Sequence, residues 1–435
     1  MNPMIRPPQD DAGAGWTALL PPLPAPRLLA GEERPDSVVV GAGLVGLAVA
    51  RRLAERRPGE RVAVVDAQRI GSGASGRNAG FVVDLTDFAA RMAPADCRRY
   101  VRVARFGMRC LKELIERHTI DCDWDERGIL RAAAGEEGLR ILSRWPALLD
   151  GVGSPHRWLD AEATAACTGT RFYRAAVHLP GMTVQPAALV RGLAGSLPGE
   201  VEIFEQSPVR ALRREPGGFR VETGEGVLVC RRLFLATNGY TPGLGFLRRQ
   251  ASPLWSFGSL TTVLSPAEQA ALGGERRWGV LPMDPSGSTV RHTPDQRILI
   301  RNTFHYSPAL GVRPRVREAA LVRHRRAFLA RFPMLREVPF AHTWSGLMSM
   351  SENGQTFFGE IEPGLFTVAV FNAAGLAMGT ASGRLLADLA LGVDSPELAD
   401  LRQLPSPTRL PREPWRTLAG RRRVARQNEQ AGAYL

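Results

Sequence analysis

The most explicit chemistry in the sequence lies in Gly41-Ala42-Gly43-Leu44-Val45-Gly46 and in an acid some two dozen residues further on, Asp66. The G-x-G-x-x-G spacing suits a backbone turn held against a pyrophosphate. Gly41 permits the tight turn, Gly43 lets the main chain approach the phosphates, and Gly46 lets the following helix pack close to the strand before it. A carboxylate at Asp66 takes both hydroxyls of an adenosine ribose, whereas an arginine there would suit a 2′-phosphate. The pattern points to NAD or FAD and disfavours NADP.

Other stretches add candidates. Gly71 to Gly80 is polar and glycine-dense, rich enough in special backbone conformations to turn N–H groups toward an anion. Asn372 to Met378 is a second glycine turn between strand and helix. In the hairpin Thr289 to Thr303, alternation puts Ile298 and Ile300 on one face and Arg297, Leu299 and Arg301 on the other, facing either a ligand cavity or solvent. Asp84 is read as an attractor for a cationic amine or as a loop cap. His178, His292 and His305 are read as substrate contacts or as surface and structural histidines, and Trp344 and Met348 as pocket wall or core. No Ser-His-Asp order and no metal-spaced His, Cys or Asp cluster is present, so no metal site is expected.

These residues need elements to hold them. Val38 to Val40 is a β-branched run too short for a helix, followed by apolar residues at helical spacing (Val45, Val49, Leu53), so strand, turn and helix follow in order. Arg61 to Val65 is the next strand. From Arg91 to about Trp158 the pattern is mostly helical. A helix is expected from Pro186, then short strands, a hairpin about Gly224-Glu225-Gly226, and a buried strand Leu233 to Thr237. That strand comes about 200 residues after the first glycine motif, so the nucleotide domain is interrupted by an insertion. A last strand, Leu365 to Phe371, leads into the helix carrying Leu385, Leu386 and Leu389.

With 435 residues, two domains are expected. The net charge of +13 invites a nucleic-acid reading, but basic residues are spread along the chain, so no nucleic-acid partner is expected. The one local cluster, Arg412, Arg416, Arg421, Arg422, Arg423 and Arg426, reads as a solvated tail or as a docking patch for an anionic surface. Cys97, Cys110, Cys122, Cys167 and Cys230 form no C-x-x-C pair and suit a reducing compartment. No apolar run is long enough for a membrane span, and the expected location is cytoplasmic.

Three separated motifs, GAGLVGLAVA with Asp66, GSGASGRNAGF, and FNAAGLAMGTASGRLLADL after Trp344-Ser345-Gly346, resemble the D-amino-acid-oxidase-like superfamily of FAD-dependent oxidoreductases, and most closely its γ-glutamylputrescine oxidase type. The resemblance frames positions from about 37 to 392. It implies an α/β (α+β, two-domain) fold: a Rossmann-like FAD-binding domain with a β-meander (37–90, 165–243 and 344–395) and a substrate domain with a mostly antiparallel mixed sheet (91–164 and 244–343). An irregular arm (1–36) and a basic tail (396–435) flank them.

The resemblance further implies that FAD is held noncovalently by Gly41, Ala42, Gly43, Leu44, Val45, Gly46, Asp66 and Ala67 in the first motif. Gly73, Ala74, Ser75, Arg77, Asn78, Ala79, Gly80 and Phe81 join from the second, then Val209, Ala236 and Thr237, and finally Gly375, Leu376, Ala377 and Met378. It implies hydride transfer from the C–H beside an amine to flavin N5, with Trp344, Met348 and Arg301 at the substrate, and O2 or another acceptor taking the electrons. Glycine-oxidase-like relatives carry a carboxylate-clamping arginine shortly after the W-x-G motif. This chain reads Trp344-Ser345-Gly346-Leu347-Met348 there, which favours an amine or modified amino compound unless Arg291 or Arg301 supplies the charge. Some amine-oxidising relatives activate oxygen with a lysine, and the only lysine here is Lys112. A dehydrogenase, or a partner-dependent flavoprotein subunit, is therefore the competing reading.

Overall fold

The computed structural model describes residues 13–431. At its centre the strand Ser37–Val40, buried throughout, lies in a six-stranded sheet between Val62–Val65 and Arg232–Leu235. The full order is Phe357–Glu362, Leu365–Ala369, Arg232–Leu235, Ser37–Val40, Val62–Val65 and Val201–Phe204. All neighbours run parallel except the first, an antiparallel edge. A parallel sheet is covered on both faces, which is why its strands read as continuous β-branched runs. Alternation then divides those residues: Val39, Val62 and Val64 join one core, and Val38, Val40, Ala63 and Val65 join another.

On the first face the helices Leu44–Arg56, Pro94–Arg117 and Gly375–Leu391 pack together. Glycines allow the close approach. A Cβ on Gly107 would lie 2.0 Å from the Ala377 carbonyl oxygen, and one on Gly383 would lie 2.6 Å from that of Val45. Arg52 and Asp388 lock two of these helices with paired hydrogen bonds of 2.8 and 3.0 Å. The opposite face carries the β-meander Ala211–Glu215, Gly218–Glu222 and Gly226–Cys230, extended by Gly31–Glu33.

The second large unit is an eight-stranded sheet ordered Phe340–Met350, Ser252–Thr261, Ile298–Tyr306, Thr289–His292, Trp278–Pro282, Ile129–Ala133, Ala175–Leu179 and Arg157–Leu159. It is antiparallel apart from the pairing of Trp278–Pro282 with Ile129–Ala133. Helix Pro314–Arg331 backs it, with Phe328 packed on the Ile298 and Ile300 face.

Several expected boundaries shift. Strand Ala175–Leu179, within the 165–243 segment expected in the FAD-binding domain, pairs into the eight-stranded sheet, and Phe340–Met350 runs across the 343/344 division. Helix Pro94–Arg117, placed by sequence in the insertion, packs on the nucleotide side because its apolar stripe meets Gly375–Leu391. The arm is not wholly irregular: it contributes helix Gly15–Ala18, with Trp16 buried, as well as strand Gly31–Glu33. In the tail, Pro396–Gln403 and Trp415–Gln430 are helical. The portions of the arm and tail calls before 13 and after 431 lie outside the described residues.

Candidate functional site

A cavity of about 1090 Å³ opens between the parallel sheet and the eight-stranded sheet. That exceeds the ~300–1,000 Å³ of ordinary small-molecule pockets and leaves room for a dinucleotide with a small substrate.

At one end lies the first glycine turn. Gly41 takes φ +110°, and a Cβ there would stand 2.7 Å from the Ala236 carbonyl oxygen. A Cβ on Gly46 would fall 1.8 Å from the Gly41 carbonyl oxygen, so this glycine serves the strand–helix approach and does not line the cavity. Helix Leu44–Arg56 has no side-chain cap at Gly43 and no acid in its first turn, leaving its positive end toward the cavity. The Asp66 carboxylate accepts from the Ala42 N–H at 2.7 Å and the Gln68 N–H at 2.8 Å, which fixes the turn. Ala42, Gly43, Leu44, Val45, Ala67, Val209, Ala236 and Thr237 all line this region.

The second motif folds over the first. Ser75 Oγ accepts from the Leu44 N–H at 3.0 Å, and Asn78 Oδ1 accepts from the Gly80 N–H at 2.8 Å. Gly73, Ala74, Ser75, Arg77, Asn78, Ala79 and Phe81 line the cavity. Gly80 does not. It lies against the Val184 carbonyl and Arg291, where only a glycine fits. The Arg77 guanidinium donates to the Ser72 and Ser345 carbonyls at 2.6 and 2.9 Å, so it ties the loop to the eight-stranded sheet. Opposite, helix Gly375–Leu391 begins without a side-chain cap, and Gly375, Leu376 and Ala377 line the cavity. Met378 turns instead into the helical core. The N-termini of two long helices, neither with an acid in its first turn, and a turn that no Cβ fits therefore converge on one space, the arrangement that an anionic dinucleotide requires.

The far end is walled by the eight-stranded sheet. Arg301 lines it, with Nη2 donating to Met348 Sδ at 3.2 Å and its guanidinium 5.2 Å from the Phe304 ring centre. Burial pulls the Arg301 pKa down to about 10, partly offset by Asp87, so it stays charged at neutral pH. Asp87 is itself bonded to Arg131 at 2.6 Å, and among the described residues no carboxylate forms an ion pair with Arg301. Arg301 thus stands beside the very position, Met348, where a clamping arginine is missing.

Trp344 borders the cavity, but its ring packs edge-on to Trp16 at 5.9 Å and its Nε1 donates to the Arg77 carbonyl at 2.9 Å, a positioning role.

Other candidates do not reach the space. Arg291 is buried outside the cavity, bonded to the Val184 carbonyl. Asp84 is locked to Arg105 at 2.7 Å and does not line the cavity; the acids that do are Asp66, Asp87, Glu137 and Asp284. His178 binds the Arg127 carbonyl, His292 lies against Trp278, and His305 is half-buried elsewhere. Lys112 pairs with Glu126 on the exposed face of its helix.

Sequence reasoning missed Phe304, Asp87 and the pair Arg423 and Gln427, all cavity-lining. Strict alternation from Leu299 and Arg301 would bring Thr303 to the cavity. A bulge, with Thr303 at φ +59°, brings Phe304 there instead.

A family model described as "FAD dependent oxidoreductase" (DAO) matches residues 36–389. The chain is 29% identical over 411 residues to "Probable oxidoreductase OrdL" of Rhizobium meliloti, covering 91% of this chain and 92% of that protein. It is 26% identical over 370 residues to "Gamma-glutamylputrescine oxidoreductase" of Escherichia coli, covering 82% and 84%. The solved structure of glycine oxidase from Geobacillus kaustophilus has the same fold, with a TM-score of 0.73 at 23% identity over 87% of this chain and 100% of that one.

Proposed function

Because the chain belongs to the DAO family of FAD dependent oxidoreductases, and proteins similar to it are named glycine oxidase and gamma-glutamylputrescine oxidoreductase, we propose that it oxidises the C–N bond of an amino acid or amino acid derivative whose carboxylate is held by Arg301. The observation that carries this reading is the Arg301 guanidinium, charged, cavity-lining and 3.2 Å from Met348 Sδ. It supplies from the hairpin strand the charge that position 348 lacks, and it moves the substrate class from plain amines toward carboxylate-bearing ones. γ-Glutamylated amines, which combine an amine with a carboxylate, fall within that class.

Bound FAD supplies the hydride acceptor, flavin N5, and the product is an imine that water hydrolyses. The protein's own part is positioning. Arg301 fixes one end of the substrate, while Phe304, Leu347 and Met348 present apolar surface that keeps water from the reacting carbon. The open N-terminus of helix Gly375–Leu391 is suited to negative charge on the reduced cofactor. No histidine lines the cavity among the described residues, and its carboxylates are engaged, Asp66 and Asp284 by main-chain N–H groups, Asp87 by Arg131 and Glu137 by Arg140, so in this reading the substrate amine arrives neutral and the rate rises with pH through the amine's own titration.

O2 is the electron acceptor in this reading. The one lysine lies on an exposed helix face, paired with Glu126, and this favours as a second reading a dehydrogenase that passes electrons to a quinone or carrier.

Anaerobic mixing with pools of α-amino acids, N-substituted amino acids, γ-glutamylated amines and plain polyamines tests the proposal. Flavin bleaching by carboxylate-bearing pools is expected, with recolouring in air for an oxidase and none for a dehydrogenase. Bleaching by plain polyamines alone would overturn the role given to Arg301.

A further inference from the structure

The C-terminal helix Trp415–Gln430 lies along strand Ile298–Tyr306. That strand outruns its hairpin partner: Thr289 pairs with Arg301, and beyond it the edge groups are left open. Asn428 closes them, its Nδ2 donating to the Phe304 carbonyl at 2.9 Å and its Oδ1 accepting from the Phe304 N–H at 3.1 Å. Gly420 lies so close to the Tyr306 ring that a Cβ would stand 2.7 Å from it, and Val424 and Ala431 are buried. Positions 420, 424, 428 and 431 make one helical stripe against the sheet. Arg423 and Gln427, four apart and so on a shared face, both line the cavity. The strand they flank carries Arg301, whose guanidinium packs on Phe304.

We propose that this helix is the outer wall of the substrate chamber and that Arg423 is a second anion-reading position, selecting substrates with a carboxylate remote from the oxidised nitrogen. The pyrophosphate turns lie on the parallel sheet, whereas Arg423 approaches from the eight-stranded sheet, on the substrate side. Its only ion pair among the described residues is with Glu352, at 3.2 Å, and both side chains are more than half exposed. An exposed pair of this kind is weak, so an incoming carboxylate can replace Glu352. The inference rests on the Arg301 reading above and adds the second site.

The test uses the full-length holoenzyme and dead-end acids, with flavin absorbance as the readout of binding. α,ω-Dicarboxylates from succinate to pimelate are titrated against monocarboxylates of equal length. At the best length the dicarboxylate is expected to bind roughly fivefold tighter, the upper end for one exposed ion pair. Arg423→Gln should abolish that advantage and leave monocarboxylate binding unchanged. Glu352→Gln should enlarge it, and Arg422→Gln, on the exposed side of the helix, should not alter it. A wild-type protein with no dicarboxylate preference at any length, or an Arg423→Gln protein that keeps the preference, would overturn the second site while leaving the Arg301 clamp standing. If neither kind of acid perturbs the flavin, the clamp itself fails and this inference with it.

Discussion

Arg301 is a largely buried cation with which no carboxylate among the described residues forms an ion pair, and Asp87 offsets the cost of its burial only in part. Burial lowers its pKa from the usual arginine range to about 10. The sign follows: a cation whose folded pKa is depressed destabilises the fold below that pKa, and the penalty is relieved as pH rises past it. Arg301→Met should therefore stabilise the protein by about 1–3 kcal/mol at neutral pH. It should also lower kcat/KM for carboxylate-bearing substrates roughly 100-fold, the loss of a charge-assisted hydrogen bond in a dry site. Thermal melts and steady-state kinetics together read this, and a variant that is less stable yet fully active would refute it. In the wild type, carboxylate binding should be flat from about pH 6, where the ligand carboxyl is fully ionised, to about pH 10 and weaken above it, a limb that the variant lacks. The sequence placed Arg301 on the right face of its strand but left open whether that face met solvent. Nothing local separates the two, because the answer depends on what the neighbouring strands and the C-terminal helix cover.

Among the elements, the N-terminal arm does more than lie on a surface. Trp16 donates to the Asn78 carbonyl at 2.8 Å, receives Gln185 Nε2 on its own carbonyl at 2.9 Å, and packs against Trp344. It thereby holds the second glycine loop from behind. Trp16→Phe keeps much of the packing and leaves one carbonyl short of a donor, at a cost of about 1–2 kcal/mol. Trp16→Ala adds a cavity and should cost about 3–5 kcal/mol, with weaker FAD retention. Denaturant melts and FAD titration of the apoprotein measure both, and wild-type FAD affinity in the alanine variant would remove the arm from the site. Element types were legible where the period was clean, as in Ser37–Val40 and Leu44–Arg56. The Thr303 bulge was not, since a one-residue irregularity shifts the face without changing composition.

At the scale of the molecule, the cavity is walled by both sheets, so FAD occupancy should stabilise both together. Removing FAD should lower the melting temperature. Adding it back at a hundredfold excess over Kd should restore about 2.7 kcal/mol, and a melting temperature insensitive to FAD would contradict a shared site. Among the described residues no single helix is long and apolar enough to cross a membrane. The basic cluster, read as solvated or surface-docking, falls mostly in helix Trp415–Gln430, which Asn428 anchors: its small and apolar positions fall at helical spacing, Arg421, Arg422 and Arg426 are exposed, Arg423 lines the cavity and Arg416 bonds the Arg248 carbonyl.

Short-range order carried the nucleotide-binding half of this protein: strand, glycine turn, helix and acid lie within one βαβ-like stretch, and backbone sterics dictate their glycines wherever they occur. The same holds for the second glycine loop and for the start of helix Gly375–Leu391, whose residues contact the cavity through local turns. The substrate half is assembled from strands far apart in sequence. Leu254, Arg301 and Met348 line one wall only because three strands pair antiparallel across about 90 residues, and Arg423 joins them from a helix more than 100 residues beyond Arg301. Such pairings rest on burial and register rather than on any local signal. The cofactor was therefore readable from the chain, and the anion-reading end of the chamber was decided by tertiary packing.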